Sequence, residues 1–341
     1  MKVLRISGVV VGLLLIAAAF VTAFYIEPTY VARVPSDTDE QRTYAGVFTT
    51  LLDPQALAKN DVANAVKHNV PLTVDRRVKV QKTSGNTALI SDARTINAAG
   101  APVERTTWQY ALNRKTLEPV SKPPSGWTVV NAQGLTVSWP LGADKKTYTG
   151  WVPETATTTP VRYTTTATRS GLHTYVYRAT LAPTPIADAQ ILAGLPKAIP
   201  AAQLKALAGS SLSPSQQAQL GALLPQLGDP VPLSYTIAGA DTFWVEPETG
   251  VVIDLVRSQQ RMAGVKSPNG TFVGLLPVSD ASYKQTPAAV KDAADQANDG
   301  RDAIELWGTT VPIIAGIVGA VLVAAALLIR RRRPRTARHS A

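Results

Sequence analysis

The chain has 341 residues with 34 basic and 24 acidic side chains, three histidines and no cysteine. The absence of thiols excludes disulfides, thiol catalysis, zinc–thiolate sites and iron–sulfur clusters, and three scattered histidines predict no metal or cofactor site. Eight basic side chains lie in the two tails, which leaves 26 against 24 acidic ones in between. The net charge of +10 therefore does not indicate a nucleic-acid partner.

The first element is an uncharged apolar run at residues 6–26, preceded by Lys2 and Arg5. At about 1.5 Å per residue, a helix of this length crosses the roughly 30 Å hydrocarbon core of a bilayer. A cleaved signal peptide is the alternative, because residues 21–23 resemble a cleavage site. The run is longer than the usual apolar region of a signal peptide, about 7–15 residues, which favours a retained transmembrane anchor.

Two helices and then a series of strands are predicted in residues 27–183. Residues 36–40 resemble a helix start and predict a helix to about Leu52, and Asp53-Pro54 predicts a second helix to His68. From Pro71 the chain alternates apolar and polar residues, with turn signals about every ten residues, which is typical of an antiparallel sheet. The predicted strands cover residues 72–80, 87–96, 104–112, 128–139, 161–168 and 173–181.

A helical insert interrupts the strands at residues 186–227, where Ala, Gln and Leu dominate and four prolines act as breaks. We expect it either to pack on the sheet or to form a flap over an apolar cavity or a contact with membrane or partner. Leu220, Leu223 and Leu224 are the candidate lipid or partner contacts. Strands return at residues 233–238, 242–245, 251–261 and 271–278, and a juxtamembrane helix is predicted at 287–305.

A second uncharged apolar run at residues 311–329 is followed by a basic cluster, Arg330, Arg331, Arg332 and Arg333. Basic residues favour the cytoplasmic side of transmembrane helices, so this cluster, with Lys2 and Arg5, predicts that both termini are cytoplasmic. The sequence thus predicts a membrane-anchored α+β protein of the cell membrane. Its segments are a tail (1–5), a transmembrane helix (6–26), an antiparallel β-rich extracytoplasmic domain (27–310), a second transmembrane helix (311–329) and a basic tail (330–341).

No catalytic constellation is evident in the sequence. Asp292, Asp295, Asp299 and Asp302 share one helical face, but helical spacing spreads them too far for one ion and favours a solvated face. His173 and Asp188 lack the G-x-S-x-G elbow of a serine hydrolase. Glu246 and Glu248 flank a turn proline, where solvent exposure is the ordinary outcome. Five tryptophans favour sheet packing over sugar stacking: Trp108, Trp127, Trp139, Trp151 and Trp244.

Five segments carry a resemblance to a known family. They are residues 138–141 (SWPL), 145–148 (KKTY), 160–163 (PVRY), 171–177 (GLHTYVY) and 243–250 (FWVEPETG). Together with the two-span layout, they resemble the actinobacterial porin PorA family, long catalogued as a domain of unknown function. One departure is Trp151-Val152-Pro153, where the family pattern has an aspartate after the aromatic residue. The resemblance implies a role in cell-envelope lipid or lipoglycan assembly.

The porin label is not expected to describe a transmembrane barrel, which needs tilted strands of about 9–11 residues with an apolar outer face. We expect a non-enzymatic envelope protein that binds or organises membrane lipid, glycolipid or a membrane complex, with other membrane proteins as further partners. Two alternatives stay open. A solid core would favour a receptor or scaffold, and buried carboxylates in a cleft would favour an envelope glycan hydrolase, whereas a sheet-enclosed apolar cavity would favour lipid handling.

Overall fold

The computed structural model describes residues 2–212, 214–267 and 269–328. The chain divides into two compact units, one of Val34–Ala297 and one of Met1–Arg33 with Asn298–Ala341. The first unit is a sheet domain, and the second contains the helices at the two chain ends.

Ten strands dominate the sheet domain, nine of them with 12–19 residues and one with five. They are β1 Asp39–Leu52, β2 Val66–Ser84, β3 Thr87–Ala98, β4 Ala101–Asn113, β5 Tyr148–Val152, β6 Thr157–Arg169, β7 Leu172–Pro185, β10 Ser234–Val245, β11 Val252–Lys266 and β12 Phe272–Gln285, with the short pair β8 Ala198–Ile199 and β9 Val231–Pro232 forming a separate ladder. The ten form one antiparallel sheet in the order β4-β3-β2-β1-β12-β11-β10-β7-β6-β5. The predicted antiparallel class with a helical insert is confirmed, and the first and last strands meet at the centre.

The sheet curls strongly onto one of its faces. In a flat sheet, β3 and β6 would lie about 34 Å apart at about 4.8 Å per strand. Instead, Arg94 on β3 and Val161 on β6 line the same cavity. Likewise, Glu104 on β4 forms an ion pair with Arg261 on β11, five positions away in the strand order. The enclosed face is called the inner face below, and it holds the candidate site.

The segment 114–147 closes the gap between the two edge strands. The backbone N–H of Val130 donates to Gln109 O of β4 at 2.8 Å, and that of Leu135 donates to Thr149 O of β5 at 2.8 Å. This pairing covers part of both sheet edges, which would otherwise present free backbone groups. The predicted strand at 128–139 is wrong, because this stretch crosses from one edge to the other and Gly134, at a φ of 73°, turns the chain within it.

The first predicted helix is also wrong, because residues 39–52 form the central strand β1. Tyr44, Phe48 and Leu52 are buried, and a spacing of four residues fits both the helical and the strand period. The many Thr, Val and aromatic residues of β1 favour the strand, and both of its neighbours pair with it. The second predicted helix shortens to α2 Pro54–Ala58, capped as expected by Asp53, and β2 has begun by His68.

The helical insert packs on the sheet. It contains α3 Ala189–Ala193, α4 Ala201–Ser211 and α5 Pro214–Leu227. Its apolar side chains join a buried cluster with β10, β11 and β12, in which Leu204 and Leu207 are fully buried. Of the two expectations for this insert, packing on the sheet is therefore the one observed for α4 and α5.

Helix α6, Pro287–Glu305, follows the last strand. The hydroxyl of Thr286 accepts a hydrogen bond from the backbone N–H of Ala289 at 3.3 Å, which caps the helix start. Ala294 and Ala297 are buried with Leu172 and Ile253, so one alanine face of α6 packs on the sheet domain.

In the second unit, helices α1 (Lys2–Val21) and α7 (Val311–Leu328) adjoin the π-helical segments Thr22–Val31 and Leu306–Thr310, respectively. By length and composition, Ile6–Thr29 and Pro287–Leu328 could each cross a membrane. Helices α1 and α7 pack closely: a Cβ added at Gly12 would lie 2.6 Å from Gly319 O, and one at Gly319 would lie 2.6 Å from Gly12 O. Gly8 and Gly12 supply the small-xxx-small spacing that allows backbones this close.

Candidate ligand-binding site

Charged side chains occupy part of the inner face, at positions where the strand alternation otherwise places apolar residues. Arg76 on β2 donates from Nε to Asp92 Oδ1 at 2.8 Å and from Nη2 to Oδ2 at 2.9 Å. Arg94, beside Asp92 on β3, contacts Asp92 Oδ2 at 3.3 Å and donates from Nη1 to Glu154 Oε1 at 3.2 Å. The Asp92 side chain is only 1% exposed, so this is a buried ionic network.

The arginines keep Asp92 ionised. Burial alone would raise the pKa of the Asp92 carboxyl, but the charges of Arg76 and Arg94 and their hydrogen bonds outweigh burial and lower that pKa to about 2. Burial likewise works against the charge of Arg76, and Asp92 outweighs it, so the pKa of Arg76 is raised. Asp92 and its two arginines therefore stay charged at neutral pH.

Two further ion pairs extend the network along β11. Arg257 donates to both oxygens of Asp241 on β10, from Nε at 2.6 Å and from Nη2 at 2.7 Å. Arg261 forms a bidentate pair with Glu104 on β4. Because Arg257 and Arg261 are four residues apart, they share the inner face of β11, with Gln259 between them.

A small cavity of about 140 Å³ lies beside Arg76, Arg94 and Arg257, and its lining mixes these ion-paired groups with apolar side chains. Trp139, from the segment that closes the sheet, lines it and is 4% exposed. The position of Trp139 depends on Gly250, which has a φ of 72° and accepts a hydrogen bond from Ser138 Oγ at 2.7 Å. A Cβ at Gly250 would lie 2.3 Å from Trp139 O, so only glycine fits there.

Four buried polar atoms on the lining residues of the small cavity have no hydrogen-bond partner within the described part of the chain. They are Nε of Arg94, Oγ1 of Thr136, Nε1 of Trp139 and Nε1 of Trp151. Buried polar groups in proteins are nearly always paired, so a cluster of unpaired donors indicates where a ligand could hydrogen-bond.

A larger, mainly apolar cavity of about 660 Å³ adjoins the small one. It lies between inner-face residues such as Phe48, Leu72 and Ala281 and the insert residues 190–196. Its volume falls in the range of about 300–1,000 Å³ that is usual for ligand pockets. The two cavities share Gln259 and Tyr283 as lining residues, so a small compartment with four unpaired polar atoms and a larger, mainly apolar compartment lie next to each other on one face.

The predicted contact leucines lie in the insert's helices rather than at these cavities. Leu220 and Leu224 are buried in the core cluster, 2% and 7% exposed, and Leu223 packs against that cluster. None of the three is among the lining residues of the 140 or 660 Å³ cavity, or of a 490 Å³ groove beside α3. The start of the insert, at residues 186–197, borders the groove and the larger cavity instead. A lipid or partner contact at these leucines stays a prediction.

The other residues that the sequence singled out have ordinary environments. The four aspartates on α6 are exposed, and Asp295 pairs with Lys291. His173 is exposed and contacts the ring of Tyr175, whereas Asp188 caps α3 and accepts the Trp108 indole N–H at 2.7 Å. Within residues 2–212, 214–267 and 269–328, no three His, Cys, Asp or Glu side chains are grouped as metal ligands.

The two glutamates beside Pro247 differ from each other. Glu248 is exposed as expected, but Glu246 is only 4% exposed and accepts hydrogen bonds from the backbone N–H and the hydroxyl of Thr249 at 2.8 and 2.7 Å. Glu246 therefore stabilises the turn that carries Gly250. Of the five tryptophans, Trp108 and Trp139 are buried and the other three are half-buried.

The topology residues are described only in part. Lys2 and Arg5 lie in α1, whereas Arg330, Arg331, Arg332 and Arg333 lie outside the described residues. The predicted orientation of the termini therefore stays a prediction.

Sequence reasoning missed the charged residues of the inner face. A signal was present in β2. Arg76 lies on the same face of this strand as Leu72, Val74, Val78 and Val80, at a position where alternation predicts an inward side chain. A charge at an inward position of a strand marks a buried ionic or binding group.

The domain is an antiparallel sheet with two adjoining cavities, and it is flanked in sequence by two helices long and apolar enough to cross a bilayer, which is the layout expected of a membrane-anchored protein. The family model described as Porin PorA matches residues 6–328, so the chain belongs to the Porin PorA family and is a cell-envelope membrane protein. The family resemblance seen in the sequence is confirmed.

Individual relatives are distant. The chain is 24% identical to a protein named Porin PorA from Corynebacterium resistens, over 97% of this chain and 98% of that protein. Among solved structures, acyl-CoA thioesterase II TesB2 from Mycobacterium marinum matches over 73% of this chain and 81% of that chain, with 12% identity and a TM-score of 0.13. A TM-score this low supports no argument about fold or function.

Proposed function

We propose that this protein is a two-span cell-membrane protein whose outer domain binds the acyl chain of an envelope lipid or glycolipid without converting it chemically. The observation that carries the proposal is the 660 Å³ cavity between the inner face and residues 190–196. Its lining is mainly apolar, as burial of a hydrocarbon chain requires, because each buried CH₂ contributes about 0.8 kcal/mol. Partner membrane proteins would then exchange or receive the lipid.

The two alternatives fit the cavity less well. A receptor or scaffold needs no apolar cavity of this size. A glycan hydrolase needs one carboxyl group kept protonated as the acid, whereas Glu154 and Asp241, the carboxylates that line the small cavity, are ion-paired with Arg94 and Arg257.

Filling the larger cavity should remove the lipid. Ala281 is 4% exposed and lines the cavity, so Ala281→Phe places a ring where the acyl chain would lie. The lipid retained per chain by full-length protein in mild detergent should fall about tenfold, which is about 1.4 kcal/mol of affinity. Mass spectrometry of the purified protein measures the retained lipid.

Ala45→Phe is the matched control, because Ala45 is an exposed alanine on the neighbouring strand β1. It should retain lipid like the wild type. Circular dichroism must show both variants folded, since overpacking costs about 1–3 kcal/mol. A folded Ala281→Phe protein with unchanged lipid content would contradict lipid binding in this cavity.

The membrane topology has its own test. The charges of Lys2, Arg5 and Arg330–Arg333 place both termini in the cytoplasm if the positive-inside rule holds, and retention of the first helix is supported by its glycine contact with α7. A fluorescent reporter that folds only in the cytoplasm should be active after Ala341 and inactive when inserted near Ser125. A phosphatase reporter active only outside should give the opposite pattern, and an exported C-terminus would refute the orientation.

A further inference from the structure

The charges around the small cavity are balanced. Three arginines, Arg76, Arg94 and Arg257, are paired with three carboxylates, Asp92, Glu154 and Asp241. Each arginine already contacts at least one of these carboxylates. A charged ligand would therefore add an uncompensated charge to a buried site, which is strongly unfavourable.

The hydrogen-bonding capacity of the same cavity is not balanced. The indole N–H groups of Trp139 and Trp151 and the Nε–H of Arg94 are donors without acceptors, and the hydroxyl of Thr136 is also unpaired, within the described part of the chain. The carboxylates of Glu154 and Asp241, which also line the cavity, have lone pairs that can accept further hydrogen bonds. The matching ligand group is neutral and carries oxygens that both accept and donate, which describes hydroxyl groups.

We propose that the small cavity binds the uncharged, hydroxyl-bearing head group of an amphiphile, a glycerol or a sugar, whose acyl chain occupies the larger cavity. This inference rests on the proposed lipid-binding function and adds the chemistry of the head group. The size is consistent with it, because about 140 Å³ is roughly ten times the ~10–15 Å³ of cavity that one water molecule needs.

The orientation of the amphiphile follows from strand β11. Its inner face carries Arg257 in the small cavity, Gln259 shared by both cavities and Arg261 in the larger one. On the paired strand β12, Tyr283 lies opposite Arg257 and Ala281 lies opposite Gln259. A head group beside Arg257 and Tyr283 therefore places its attached chain at Ala281.

The test compares four amphiphiles with the same sixteen-carbon chain on the detergent-solubilised full chain by native mass spectrometry. The probes are 1-monopalmitoylglycerol, hexadecyl glucoside, palmitate and hexadecyl phosphate. We expect at least one of the two neutral hydroxyl-bearing probes to bind about tenfold more tightly than both anions, and their ranking assigns glycerol or sugar as the head group. Anions that bind as tightly as the neutral probes would overturn the head-group inference and leave the lipid-binding function standing. Binding of none of the four would overturn both.

Two conservative variants test the assigned donors. Trp139→Phe keeps an aromatic ring but removes the N–H, and Thr136→Val removes the hydroxyl at similar size. Each variant should weaken binding of the preferred neutral probe about fivefold, as expected for one lost hydrogen bond, and leave binding of the anions unchanged. Trp244→Phe, at a half-buried tryptophan outside both cavities, is the matched control and should change nothing.

A purely structural role for Trp139 makes a different prediction. Because the Trp139 ring is buried against Tyr177 and Phe243, the smaller ring of Trp139→Phe leaves a cavity and should lower the melting temperature of the lipid-free protein in either case, so only the change in head-group preference is diagnostic. A variant that loses stability while keeping its preference for the neutral probes would overturn the assignment of Trp139 to the head group.

Discussion

Asp92→Asn should destabilise the sheet domain by about 3–5 kcal/mol, because it removes the carboxylate that neutralises two buried arginines. Arg94 would keep its contact with Glu154, but Arg76 would lose its bidentate partner inside the curled sheet. Urea unfolding of the full chain in detergent, followed by tryptophan fluorescence, measures the change. Asp37→Asn is the control, since Asp37 is exposed and should change stability by less than about 0.5 kcal/mol.

The loss of stability caused by Asp92→Asn should become smaller at low pH. The pKa of Asp92 is about 2 in the folded protein and about 3.9 in an unfolded chain. A carboxyl group whose pKa is lowered by folding stabilises the fold above its unfolded pKa and loses that contribution as the pH falls through its folded pKa. The stability difference between wild type and variant should therefore be constant above about pH 5 and shrink between about pH 4 and pH 2. A difference that does not change with pH would refute the ionic role of Asp92.

Leu220→Asp with Leu224→Asp should unfold the insert and the cluster that it shares with the sheet. Both leucines are buried, so two carboxylates would be left without partners, at several kcal/mol each. For a domain of this size, 1 kcal/mol corresponds to roughly 2–4 °C, so we expect the melting temperature to fall by more than about 10 °C or the cooperative transition to disappear.

The control for this pair is Ala222→Asp, which lies on the same helix α5 and is exposed. It should leave the melting temperature within a few degrees of the wild type. A double variant that melts like the wild type would show that Leu220 and Leu224 do not support the core. Because loss of lipid from an unfolded double variant would say nothing about contact, the cavity residue Ala281 is the sharper probe of binding.

Much of the fold was predictable from local patterns, and the exceptions have physical reasons. The strand predicted at 87–96 is β3, Thr87–Ala98, and the helix predicted at 287–305 is α6, because alternation and a Thr cap are signals within one element. The helix prediction for residues 36–52 failed because the spacing of Tyr44, Phe48 and Leu52 fits both the helical and the strand period. The strand prediction for residues 128–139 failed because this stretch pairs with two edge strands from different parts of the chain.

The candidate site was less predictable than the fold. Arg94 and Glu154 are 60 residues apart in sequence, and Arg261 and Glu104 are 157 apart. Only the curl of the sheet brings such pairs together, and no local pattern encodes the curl. The insert borders the larger cavity through residues 190–196, whereas the leucines of α5 that the sequence singled out pack in the core cluster.

The pairing of the first strand with the last also determines when the domain can fold. Tyr44 on β1 pairs with Gln285 on β12, so the central ladder joins residues from opposite ends of the domain. Contacts between residues so far apart in sequence form slowly, because closing the long loop between them costs conformational entropy. During synthesis, β1–β4 must wait as a separate half-sheet until β12 has been made. A chain released before Gln285 would leave both halves with unpaired backbone, in a form prone to aggregate.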